Sequence, residues 1–176
     1  MNKYVIVLRH GPTHSNETIN YNSFINFIGD MVLFITNFLS SKGLNINDVS
    51  PKIFTSPFSR CNDTGKLLAS HLNVINGKNK IKVKIDDGVK RWDHKNESRE
   101  MSISRSFNYG GKIFEKINSL KEPSVYIFIT HSSIIPSYIS GIVGRKLKKV
   151  KLHTASLSVI NINNRELEIF NKSFKN

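Results

Sequence analysis

Apolar residues along the chain fall into two alternating textures. Short, dense runs rich in β-branched side chains are followed by longer segments in which apolar positions recur every three or four residues. Tyr4-Val-Ile-Val-Leu8 is the first dense run and reads as a buried strand. From about Ser23 to Ser41, Phe24, Phe27, Ile28, Met31, Phe34, Ile35 and Phe38 share one face of a helix, with Gly43 just past its end as the stop. Pro51 to Thr55 reads as a second strand, and Ser56-Pro57 as a helix start in which Ser caps and Pro takes the first helical position. That helix should run to about Leu72. Lys80 to Ile85 alternates charged and apolar residues, predicting a strand with one wet face that ends at Asp86-Asp87-Gly88. After an irregular polar stretch, a helix from about Ser98 is expected to break at Tyr109-Gly110-Gly111 and resume to Leu120. Ser124 to Ile129 is the most strand-like run, and a helix with Pro136 in its first turn follows, to about Val143. Leu157 to Ile162 and Leu167 to Phe170 flank Asn163-Asn164, a hairpin signal.

Strands alternating with helices predict an α/β fold, a three-layer sandwich with a mainly parallel central sheet flanked by helices. At 176 residues the chain fits one domain, residues 1–176, with no internal repeat or linker. Phe24 to Leu39 is interrupted by Asn26, Gly29, Asp30 and Asn37, so it is expected to fall short of a membrane span. The first apolar run is too short for a secretory signal, and the single cysteine, Cys61, cannot form an internal disulfide. The expectation is a soluble cytoplasmic protein with no membrane partner.

Charge changes this picture modestly. Lys and Arg number 26 against 13 Asp and Glu, a formal charge of +13, which favours an anionic partner. A nucleic-acid role is not expected, because no zinc-finger spacing, RNA-recognition signature or long basic run accompanies the charge. The lysines are scattered or sit in the short cluster Lys146 to Lys151, which together with Trp92 and Tyr109 fits a substrate entrance as well as it fits core or surface.

Three polar clusters each follow an expected strand: Arg9-His10, Ser56 to Arg60 and Thr130-His131. In open α/β sheets, ligands bind at the carboxyl ends of the strands, where these clusters would converge. The stretch Arg9-His10-Gly11-Pro12-Thr13-His14-Ser15-Asn16 resembles the signature of the histidine phosphatase superfamily, which includes the phosphoglycerate mutases. Ser56-Pro57-Phe58-Ser59-Arg60-Cys61-Asn62-Asp63-Thr64 and Thr130-His131-Ser132 are similar to two further elements of that family, in the same order. The resemblance spans nearly the whole chain and implies the same α/β sandwich.

It also implies a chemistry. His10 would be the nucleophile, passing through a covalent phosphohistidine. Arg9 and Arg60 would clamp the phosphate, since guanidinium forks match phosphate oxygens, with Asn16 and Ser132 as further phosphate contacts. His131, if protonated or donating, would stabilise the charge of the transferring group. The leaving oxygen needs a proton, and the family supplies it from a carboxyl after a middle strand. Asp86, six residues before Trp92-Asp93, is the first choice, Asp87 the second and Glu97 the third. The implied activity is metal-independent and cofactor-free hydrolysis of a phosphomonoester or phosphoprotein. Mutase-type phosphoryl transfer and a catalytically weak phosphate-binding or regulatory protein are the alternatives.

The remaining candidates are weaker. His14 lies four residues from His10, but Gly11-Pro12 argues against the helix that metal-binding spacing needs. His71, His94 and His153 suggest surface or capping roles. Cys61 does not make a cysteine phosphatase, because position 66 is Lys rather than Arg.

Overall fold

A computed structural model of the chain describes residues 1–13, 20–77, 80–147 and 151–174. Its elements are β1 (Lys3–Arg9), α1 (Tyr21–Ser41), the single turn α2 (Ile46–Val49), β2 (Lys52–Thr55), α3 (Ser59–Asn76), β3 (Val83–Ile85), α4 (Arg99–Asn118), β4 (Ser124–Thr130), α5 (Ile135–Val143), β5 (Leu157–Asn161) and β6 (Glu166–Lys172). They build one six-stranded sheet in the order β3-β2-β4-β1-β5-β6. β3, β2, β4 and β1 run parallel, whereas the terminal hairpin β5-β6 is antiparallel. The expected α/β sandwich with a mainly parallel sheet is present.

Strand alternation sends each side chain to one of two cores. Tyr4, Ile6 and Leu8 of β1 join Val125, Ile127 and Ile129 of β4 in the layer covered by α1 and α3. Val5 and Val7 join Tyr126 and Phe128 in the layer covered by α4 and α5. Strands buried on both faces explain the unbroken apolar runs. α1 begins at an Asn20 cap, whose Oδ1 accepts from the Ser23 amide, and its inner stripe from Phe24 to Leu39 lies in the first core. An 18-residue stretch of this 21-residue helix reaches the length and mean hydropathy, 1.4, of a membrane span, contrary to the expectation from Phe24 to Leu39. In the fold Phe24, Ile28, Met31, Val32, Ile35 and Leu39 are buried in the core, while Ile25 and Leu33 remain more than half exposed.

Three local readings are corrected. α3 starts at Ser59 rather than at Pro57, with no side-chain cap, because Ser56 continues out of β2 into the interior. The alternating run at 80–85 yields only the three-residue edge strand β3. α4 does not break at Gly110-Gly111: it runs unbroken from a Ser98 cap. Those glycines serve a helix crossing instead. A Cβ on Gly110 would collide with the Tyr138 carbonyl oxygen, and one on Gly141 of α5 would collide with the Phe107 carbonyl oxygen. Both obstacles are backbone and cannot swing away. Gly141→Ala is therefore expected to destabilise the fold by about 3 kcal/mol, beyond the roughly 1 kcal/mol of helix propensity alanine returns. A fall in the urea midpoint checks it.

Candidate active site

The register of the parallel strands assembles the site. Arg9 of β1 pairs with Thr130 of β4, and Thr55 of β2 pairs with Ile129, so the next residues, His10, His131 and Ser56, leave the sheet side by side. The His10 amide donates to the Thr130 carbonyl at 3.1 Å, and the Ser56 amide donates to the Ile129 carbonyl at 3.0 Å. The two imidazole rings stand 5.3 Å apart, centre to centre. The predicted convergence of three clusters at the carboxyl ends of the strands is what the fold produces.

His10 is held as a neutral base. Its Nδ1 lies 2.8 Å from the Gly11 carbonyl, which can only accept, so Nδ1 carries the proton and Nε2 the lone pair. Nε2 has no hydrogen-bond partner among the described residues. Burial, reinforced by Arg60, Arg9 and Arg91, outweighs the Gly11 bond and lowers the ring's pKa to about 4. His131 is tuned further. Burial, followed by His10 and the same arginines, lowers it to about 2. Its Nδ1 accepts from the Arg60 guanidinium at 3.2 Å, and its Nε2–H donates to Ser56 Oγ at 2.9 Å. In this arrangement His131 orients Arg60 rather than acting as a cation.

Thr64 ties the turn after His10 to Arg60. Its hydroxyl donates to the Arg60 carbonyl at 2.6 Å and accepts from the Gly11 amide at 3.0 Å. A side chain on Gly11 would run into the Phe24 ring, which is why the loop can pass so close to α1. Cys61 lies behind His131, with Sγ 3.3 Å from Nε2, and burial raises its thiol to about 12. That sulfur stays protonated at neutral pH, which suits packing rather than nucleophilic attack.

A cavity of about 260 Å³ opens over these groups, lined by His10, Arg60, Arg91, Trp92, His94, His131, Ser132 and Ser133. Four predicted residues thus meet: His10, Arg60, His131 and Ser132. Arg9 stands outside the lining, donating to the Leu152 carbonyl at 2.5 Å, yet its charge bears on both histidines. Asn16 lies outside the described residues.

The carboxylates are not brought to the cavity. Asp86 caps a short 3-10 turn, accepting from the Gly88 amide at 2.8 Å and from the Tyr109 hydroxyl at 2.6 Å. Gly88 makes that contact possible, since the Tyr109 ring occupies the space a Cβ would need. Asp87 is exposed beside it. Glu97 is gripped by Arg105 through two contacts, 3.1 and 2.7 Å, and that pairing holds its carboxyl below the usual range.

The sequence pattern assigns no site role to Arg91 and His94, and it places Ser56 in the converging Ser56 to Arg60 cluster without a partner. Ser56 has the chemistry of a cap, and the fold turns it to His131 instead. Arg91 and His94 sit in the polar stretch that carries no periodicity, and tertiary bonds bring them in. Thr130 Oγ1 donates to the Val89 carbonyl at 2.6 Å, and the Arg105–Glu97 pair pins the far end of the loop to α4. Arg60 and Arg91 then stand 5.3 and 5.5 Å from the Phe58 ring centre, a shared cation–π support.

The chain aligns with the phosphoserine phosphatase of Entamoeba histolytica in complex with 3-phosphoglyceric acid over 97% of its own length and 98% of that chain, with a TM-score of 0.65 at 14% identity. The chain has the histidine phosphatase fold. A mycobacterial glucosyl-3-phosphoglycerate phosphatase, in complex with VO3, shares this fold at a TM-score of 0.61 and 14% identity, covering 97% of the present chain and 100% of that one. So does the phosphoglycerate mutase of Plasmodium falciparum, at 0.54 and 15% identity, covering 99% and 91%. Proteins of the histidine phosphatase fold therefore include both phosphatases and a mutase. No protein-family model matches the sequence, and no curated protein does. The likeness is carried by the fold, at identities too low for a sequence comparison to register.

Proposed function

We propose that this protein hydrolyses a phosphomonoester through a phosphohistidine on His10. The observation that carries the reading is a neutral imidazole whose Nδ1–H is fixed by the Gly11 carbonyl and whose Nε2 lone pair is available beside Arg60 and Arg91. A phosphate dianion repels a nucleophile unless its oxygens are neutralised, and two guanidiniums in the lining with a third behind them supply that neutralisation. Nε2 forms a bond to phosphorus as the bond from phosphorus to the ester oxygen breaks. The departing ester oxygen takes its proton from water at the open cavity. Water then attacks the phosphohistidine, releasing inorganic phosphate and restoring His10.

The test is to incubate the protein with a labelled phosphomonoester, quench it, and separate it under denaturing conditions. An acid-labile, alkali-stable label on the protein, with release of inorganic phosphate, is expected. Isomer formation from 3-phosphoglycerate in place of phosphate release would assign mutase-type transfer. Phosphate binding without turnover of any ester in a broad panel would assign a binding role.

A further inference from the structure

A second cavity, of about 760 Å³, lies between α4 and α5 and is nearly three times the size of the one over His10. Ser132 and Ser133 line both, so the two cavities adjoin at the turn between β4 and α5. Its walls include Ile103 and Phe107 of α4, Pro136 of α5 and Leu147 beyond it. Ile103 and Phe107 remain 44% and 43% exposed. Neighbouring side chains on the same helix, Ser102 and Ser106, are buried, so α4 turns small polar residues toward α5 and large apolar ones toward the groove. The glycine crossing explains this: α4 and α5 touch through backbone at Gly110 and Gly141, which leaves no room for large side chains at the contact.

We infer that this groove holds the organic portion of the phosphorylated ligand, and that the ligand is a phosphomonoester whose alcohol carries an apolar aliphatic or aromatic body. The inference rests on the phosphatase reading for the role of the cavity over His10. Adjacency is its main support: Ser132 and Ser133 border both the cavity that contains Arg60 and Arg91 and the apolar groove, so a phosphoryl group at the guanidiniums has the groove within reach of its organic portion. The volume lies within the range of pockets that enclose a small molecule, and concave apolar walls with few polar groups suit such a body. Arg99 and Lys146 stand with Glu100 among the lining groups and leave one excess positive charge there, so the groove does not repel an anionic ester.

Alkyl phosphonates, which cannot be hydrolysed, isolate this contribution. Binding of methylphosphonate and octylphosphonate to the intact protein is measured by titration calorimetry. Each methylene buried from water is worth about fourfold in affinity, less the cost of ordering the chain. The octyl compound should bind about tenfold or more tightly than the methyl one, and excess inorganic phosphate should displace it. In the Ile103→Ala, Phe107→Ala double variant, whose positions are exposed and whose loss does not open the core, the ratio should shrink to about threefold or less. Equal affinities in the wild type, a ratio unchanged in the variant, or octylphosphonate that phosphate cannot displace would each overturn the inference. Hydrolysis is followed separately with methyl and octyl phosphate. If neither ester releases phosphate while the phosphonate ratio holds, the phosphatase reading fails and the ligand groove stands.

Discussion

Replacing His10 with alanine should lower phosphate release by on the order of 10⁴-fold or more, and abolish the acid-labile label on the protein. The size follows from geometry. His10 presents its unbonded nitrogen to the cavity, whereas His131 has both ring nitrogens engaged, Nδ1 by Arg60 and Nε2 by Ser56. Among the described residues the other imidazole lining the cavity is that of His94, which is exposed. Circular dichroism of the variant should match wild type, because the backbone of His10, not its ring, makes the bonds to Thr130 and Ala155. Phosphate release within tenfold of wild type, with the label retained, would remove His10 from the mechanism.

Acid should unfold the protein through the same two histidines. In the folded state their pKa values are lowered to about 4 and about 2, against the ordinary 6.5. The sign follows from proton counting. Between pH 6.5 and 4 the unfolded chain binds protons at both positions and the folded chain does not, so stability is fully present above 6.5 and drains away as pH falls. Each histidine contributes about 3 kcal/mol of loss by pH 4, a combined effect comparable with the total stability of many domains. Urea unfolding at intervals from pH 7 to 4.5 should therefore show a steep fall, with close to two protons taken up on unfolding at pH 5. His10→Gln should reduce that uptake to about one. Stability that stays level between pH 7 and 5 would contradict the neutral buried pair.

What the sequence revealed, and what it concealed, divides along the range of the interactions. β1, β4, α1 and α5 were legible because their apolar residues are buried by pattern: strands sandwiched between two layers read as unbroken runs, and helices covering one layer read as stripes. His10, Arg60 and His131 were legible because each follows a strand directly and the parallel register does the rest. Ser56-Pro57 has the local chemistry of a helix start, yet the pairing of Thr55 with Ile129 carries Ser56 inward to His131. Gly110-Gly111 has the local chemistry of a break, yet its meaning lies thirty residues away in α5. Asp86 stands at the right spacing from Trp92, but Tyr109 reaches over Gly88 to occupy its carboxylate. Arg91 and His94 gave no pattern at all, since a bond from Thr130, remote in sequence, and the grip of Arg105 on Glu97 set the course of their loop.

The hydroxyl of Thr64 has a consequence beyond the bonds it makes. It joins the loop that carries the attacking nitrogen to the helix that carries the clamp, without passing through the sheet. The proposed nucleophile and the guanidinium of Arg60 are thereby linked by a path of two hydrogen bonds that does not run along the strands. The groove between α4 and α5 belongs to the opposite layer, and can be reshaped to suit other alcohols without disturbing the distance on which phosphoryl transfer depends.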